Sequence, residues 1–225
     1  LFWVRGVEVG ARLRTARTRL GGWTRVALGG ALVSASALGG LVFYNTNVLH
    51  EYVPKEEGLL RQAAFERRYK QFGKVNQPKV VAVSLAVDIY PGELRATLGG
   101  TLTMVNRHAV PVDTIYVAVQ GANNGRVVLD TLQFDRPALP VVSDSVNGVY
   151  AFRLAAPLAP RDTLRLDYRL SMSERGFANA GPDNMLVENG TFIGRGAFPR
   201  IGYNGSGEIS GDADRKKHKL PPRER

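Results

Sequence analysis

The chain has 225 residues, no cysteine, and 30 Lys plus Arg against 20 Asp plus Glu, for a formal net charge of +10. The absence of cysteine excludes a disulfide framework and any cysteine–zinc site. The charge sits on the flanks: residues 1–25 carry +5, 45–75 carry +2 and 212–225 carry +3, which leaves 76–211 neutral with twelve charges of each sign. A nucleic-acid-binding domain concentrates its excess on a folded face, so that class is set aside.

In chain order, the start Leu1-Phe2-Trp3-Val4 followed by Arg5 reads as the exit of a preceding membrane helix. Together with the non-methionine first residue, it suggests a piece of a longer protein. Residues 1–25, with six arginines against Glu8, are expected to be a basic cytoplasmic loop. Residues 26–44, VALGGALVSASALGGLVFY, hold no charge and are long enough as a helix to cross the ~30 Å hydrocarbon core. Asn45, Thr46 and Asn47 are expected to stop this helix, and Phe43 and Tyr44 lie where interfacial aromatics occur. The arginine-rich side faces the cytoplasm by the positive-inside rule, so everything after 45 is expected outside. Gly30/Ser34 and Ala35/Gly39 are small pairs four apart, which admit a neighbouring helix.

Residues 45–77 form a connector whose segment 56–72, EEGLLRQAAFERRYKQF, has a helical pattern. Phe65, Tyr69 and Phe72 recur at helical spacing and predict a packing seam; Arg67, Arg68, Lys70 and Lys74 predict a solvated face, the alternative being a face resting on anionic lipid headgroups. From Val81 to Ile89 the period changes to two, and further strands are expected at 94–106, 112–120, 126–134, 148–154 and 162–172, divided by Gly, Asn and Pro turns. Short strands at near-regular spacing predict a mostly β chain with a β-sandwich over 78–211. Residues 212–225 are expected to be a basic, solvated linker.

The search for chemistry is short. His50, His108 and His218 are isolated and none stands in an H-E-x-x-H frame. No G-x-S-x-G elbow occurs, Gly205-Ser206-Gly207 being its nearest likeness, and no phosphate loop is present. No catalytic residue, metal ligand or cofactor contact is assigned to the segment.

Four stretches together, FYNTNVLHEY (43–52), FERRYKQF (65–72), QPKVVAVSLAVDIYP (77–91) and VENGTFIGRGAFPRIGY (187–203), resemble a bacterial envelope family in which an ABC-transporter-type permease is joined to an aminopeptidase-N-like zinc metallopeptidase. The resemblance implies that the β body is the saddle-like leading domain of the peptidase. It implies that zinc belongs to the parent protein and is bound by a downstream H-E-x-x-H helix and glutamate, that peptides are the parent's substrate, and that the domain lies on the periplasmic side of the inner membrane. It further implies contacts with membrane lipid, neighbouring membrane helices and the downstream peptidase domain. Relatives lend a Gln or Glu from the leading domain to the substrate's α-ammonium, and Glu188 is the matching candidate here. The competing reading is a self-sufficient, membrane-anchored β-sandwich module that binds an envelope partner.

Overall fold

A computed structural model describes residues 21–121, 126–176, 186–188, 190–191 and 193–223. The chain divides into two compact units, Leu1–His50 and Glu51–Arg225. In the first, helix α1 (Gly22–Phe43) runs on as a wider π-helical turn, Tyr44–Leu49. The polar triplet expected to end the helix does not do so. Thr46 Oγ1 and Asn47 Nδ2 donate to the carbonyls of Val42 and Phe43 at 2.9 and 3.2 Å, so these side chains serve backbone acceptors one turn back and let the helix continue. Among the described residues this one helix, Gly22–Leu49, is long and apolar enough to cross a membrane, a property it shares with signal sequences.

The second unit opens with α2 (Lys55–Tyr69), continued by a 3-10 turn at Lys70–Lys74. The body follows as two four-stranded antiparallel sheets. Its main strands are β1 (Lys79–Tyr90), β2 (Arg95–Val105), β3 (Val112–Ala118), β4 (Val127–Phe134), β5 (Ala138–Asp144), β6 (Val149–Leu158) and β7 (Thr163–Ser173). Three two-residue strands come after them, β8 (Leu186–Val187), β9 (Gly190–Thr191) and β10 (Arg200–Ile201), and a short helix α3 (Asp212–Lys217) closes the unit. One sheet is ordered β1-β2-β7-β4 and the other β10-β3-β6-β5; β8 and β9 form a separate hairpin. The mostly β sandwich read from the sequence is therefore the observed fold.

β7 shows why the strands form. Leu164, Leu166, Tyr168, Leu170 and Met172 alternate with Thr163, Arg165, Asp167 and Arg169; the first set is buried and the second exposed. Each such fully buried large side chain contributes about 1.5–3 kcal/mol. Across β2 the register sets Ala96, Leu98, Leu102 and Met104 against that same row, and β3 and β6 supply Ile115, Val117, Tyr150 and Leu154 from the facing sheet.

Two features depart from the expected pattern. β5, ALPVVSD, was not expected, because Pro140 disrupts a strand reading. The proline is tolerated because β5 is the edge of its sheet, where the ladder also slips between Pro140 and Val142. Second, the 212–225 segment holds a helix, and its Arg215 is 1% exposed against α2. The tail is a packed part of this unit.

Candidate functional site

A set of polar and aromatic contacts gathers where α2, the start of β1 and the returning tail meet. Phe65 and Tyr69 are four positions apart and Tyr69 and Phe72 three, so Phe65 and Tyr69 fall on one face of α2 and Phe72 follows them into the 3-10 turn. Phe65 meets Tyr69 at 5.3 Å between centroids and stacks on Tyr203 at 6.0 Å, while Phe72 stacks on Tyr116 of β3 at 4.3 Å. Gly207 approaches the Phe65 ring so closely that a Cβ there would sit 3.0 Å from Cε1. The seam expected from the spacing is present, and its partners come from β3 and the tail.

Gln77 closes the next gap. Its Nε2 donates to the Thr114 carbonyl at 2.9 Å and its Oε1 accepts from the Tyr116 N–H at 2.8 Å. The side-chain amide thus mimics a strand on the edge of β3 just beyond the pairing of β10, where Gly202 N donates to Tyr116 O at 2.8 Å.

Behind the rings lies a buried ion pair. Arg215 Nη1 and Nη2 donate to the two carboxylate oxygens of Glu66 at 2.9 and 2.6 Å, and both side chains are 1% exposed. Arg215 also donates to the carbonyls of Ile209 and Pro221 at 2.7 and 2.8 Å, and Lys70 Nζ reaches Glu66 at 3.0 Å and Glu208 at 3.5 Å. Burial alone would raise the Glu66 pKa; the Arg215 fork and Lys70 outweigh it and hold the carboxyl below its ordinary value. Also in the last turn of α2, the Tyr69 hydroxyl donates to Asp144, which also accepts from Asn147 N and Nδ2 at 3.0 and 2.9 Å. Burial, and then the bond to Asp144, push the Tyr69 phenol up to about 12.

These carboxylates are saturated with donors, so none is poised to take a proton from a substrate. The chemistry of the cluster is that of a clasp joining α2 to the tail. Of the basic face expected for α2, Arg67, Arg68 and Lys74 are exposed, although Arg67 Nη2 donates to His218 O at 2.5 Å and Arg68 lies 3.5 Å from Asp144, while Lys70 is half-buried at the ion pair.

A groove of about 850 Å³ opens beside this clasp, between the edge strands β1 and β10, lined by Pro78, Val80, Val83, Phe198 and Ile201 with Gln77 at one end. Glu188 is exposed in the turn joining β8 to β9; its neighbours 177–185 and 189 lie outside the described residues. The three histidines stand on separate elements. His50 ends the first unit, His108 Nε2 lies 3.0 Å from the Gln77 carbonyl oxygen, and His218 follows α3. Among the described residues no group of three or more His, Asp or Glu could hold a metal ion, so a zinc has no ligand set there. Ser206 Oγ accepts from Gln120 Nε2 at 3.1 Å. The sequence pattern does not single out Glu66, Arg215, Gln77 or Asp144; a Glu66–Lys70 separation of four, the spacing of a helical ion pair, is the one local signal at any of them.

No protein-family model and no curated protein matches the chain. Among solved structures it is similar to an M1 zinc metallopeptidase from Deinococcus radiodurans, with 21% identity over 46% of this chain and 22% of that one, at a TM-score of 0.35. A two-domain M1 zinc metallopeptidase mutant bound to L-tryptophan gives 21% identity, 48% and 23% coverage, and a TM-score of 0.35. The RrgA Jo.In complex gives 11% identity over 46% of this chain and 68% of that chain, at a TM-score of 0.23. This chain thus spans less than a quarter of the length of the metallopeptidases it matches.

Proposed function

We propose that the chain is the non-catalytic, membrane-proximal β domain of a membrane-bound zinc aminopeptidase joined to a transporter-type permease. In this reading it holds the peptidase domain on the periplasmic side of a bacterial inner membrane. One observation carries it. Three of the family-like stretches, 65–72, 77–91 and 187–203, are far apart in sequence yet meet at the clasp through Phe65 with Tyr203, Phe72 with Tyr116, and Gln77 with β3 beside β10. A set of motifs that resembles a family in order, and then converges on one structural task, supports a shared domain architecture.

In the parent protein the zinc would be held by residues other than those described here and would supply Lewis-acid activation of water. This domain's part is to fix the angle between the connector and whatever follows Arg223, and the clasp makes that joint stiff. α1 is the anchor, and its small pairs Gly30/Ser34 and Ala35/Gly39 are the faces for neighbouring membrane helices. Glu188 is the proposed contact for a peptide's α-ammonium, since a carboxylate pairs with that cation where water is excluded.

Antibodies against residues 76–223 should detect in host membranes a polypeptide much larger than 24.5 kDa. When immunopurified it should release amino acids from peptide N-termini and lose that activity to a zinc chelator. A membrane polypeptide of about 24.5 kDa without peptidase activity would favour the anchored binding module instead, a reading supported by the way the tail returns to close the unit on itself. Within the active parent, Glu188→Ala should raise KM for peptides with little change in kcat; an unchanged KM removes Glu188 from the site.

A further inference from the structure

β1 is the edge of its sheet, paired on one side to β2 alone. A long open edge is a template for another strand, and proteins normally guard it with a charge in its middle. β1 has none there: residues 80–87 read VVAVSLAV, and its only charges are Lys79 and Asp88 at the two ends. On its core-facing side Val83, Leu85 and Ile89 remain 59%, 44% and 42% exposed. They lie on the same face as the buried Leu102, Leu98 and Ala96 of β2 and continue the apolar wall of the groove.

The ladder shows what fits this edge. Lys79 stands opposite Val105 and Asp88 opposite Thr97, with Ser84 opposite Thr101, midway between. Val81 is an extra residue in the strand, since Val80 faces Met104 and Ala82 faces Thr103. Without that bulge, the odd separation of Lys79 and Asp88 would put them on opposite faces. With it, both lie on the outer face, symmetrically about Ser84, and among the described residues neither has an ion-pair partner. A strand related by a twofold axis through Ser84 would therefore set Lys79 against the partner's Asp88 at both ends. It would also place Val83 against the partner's Leu85, and Val80 against the partner's Val87, on the core-facing side. Opposite charges and aliphatic pairs facing each other across strands are the stabilising combination.

We infer that β1 is an interface for a second copy of this chain, joined edge to edge in antiparallel register about Ser84 to make one continuous eight-stranded sheet. The inference rests on β1 itself and is independent of the peptidase reading. Charge complementarity sets the register, and the exposed aliphatic row supplies the buried area.

Because the chain has no cysteine, disulfide trapping in the full-length chain in lipid nanodiscs or detergent tests this register directly. Under mild oxidation Ser84→Cys should crosslink to its own copy at least about tenfold faster than Ser145→Cys, a surface control in the turn after β5. Ala82→Cys and Ala86→Cys should crosslink poorly alone and well when mixed, because the twofold sets 82 opposite the partner's 86. Lys79→Glu should weaken Ser84→Cys trapping about tenfold by setting like charges opposite each other, and adding Asp88→Lys should restore it. Ser84→Cys trapping no faster than the control, or trapping that ignores Lys79→Glu, overturns the interface, whether or not the chain dimerises through α1.

Discussion

At the scale of single residues, two positions on the core face of the β1–β2–β7 sheet illustrate opposite costs. Gly100 faces Leu85 on β1 and Tyr168 on β7. A Cβ there would collide with the Ser84 carbonyl oxygen and stand 2.8 Å from the Tyr168 hydroxyl. Backbone of a paired strand cannot move aside, so Gly100→Ala should lower stability by about 2–3 kcal/mol, read as a shift in the urea midpoint at unchanged slope. A loss below about 0.5 kcal/mol would mean that β1 does not pair where the register puts it. Tyr168→Phe should do the reverse: the Tyr168 hydroxyl is buried without a partner among the described residues, and removing an unsatisfied polar group is neutral or stabilising by up to about 1 kcal/mol. Neither effect was legible in the sequence, where Gly99-Gly100 reads as a weak point in a strand. The requirement arises only when β1, β2 and β7 are side by side.

At the scale of elements, the clasp between α2 and α3 is where sequence reading went furthest and then stopped. Phe65, Tyr69 and Phe72 announced a packing face by their spacing, and the strands β1 to β4, β6 and β7 announced themselves by alternation. What covers the α2 face was not legible, because it comes from residues 203–215, whose charges read as solvated. Arg215 lies 149 positions from Glu66, and no local pattern links them. Removing one member of a buried ion pair leaves the other charge uncompensated, so Glu66→Gln or Arg215→Met should each cost about 3–5 kcal/mol. The double variant Glu66→Gln/Arg215→Met should cost less than the sum by at least about 2 kcal/mol, and strict additivity in this double-mutant cycle would show that the pair does not hold the elements together. pH gives an independent reading. The folded-state carboxyls of Glu66 and Asp144 are lowered from ordinary values of 4.5 and 3.8. Depressed carboxylates contribute stability that is present above the unfolded pKa and lost as pH falls through the folded one. Stability should therefore be flat from pH 7 to about 5 and fall below about 4.5, and Glu66→Gln should make that decline shallower. An identical acid profile in wild type and variant would assign the decline to other groups.

At the scale of the whole molecule, the prediction that separates the readings concerns which side of a membrane each unit occupies. The arginines of 1–25 and the apolar helix Gly22–Leu49 predict an N-terminus inside and a sandwich outside. A signal sequence would place the sandwich on the same side but would be cut from it. The lack of cysteine makes both points measurable with one reagent. Thr15→Cys lies in the basic stretch, and Asp113→Cys is an exposed position on β3. In intact cells with a permeabilised outer membrane, a maleimide that cannot cross the inner membrane should label Asp113→Cys and leave Thr15→Cys unlabelled until the inner membrane is opened. Labelled Asp113→Cys protein should resist extraction by alkaline carbonate, because an uncleaved helix of 19 or more uncharged residues holds it in the bilayer. Labelling of Thr15→Cys in intact cells reverses the orientation, since positive charge would then have been translocated. Release of the labelled sandwich by carbonate shows that the helix is a cleaved leader, and a freely released domain cannot fix a peptidase domain at the membrane surface. The stiff clasp has mechanical meaning only if the connector's start is anchored, so this experiment decides whether the joint between α2 and the tail transmits a position or merely stabilises a domain.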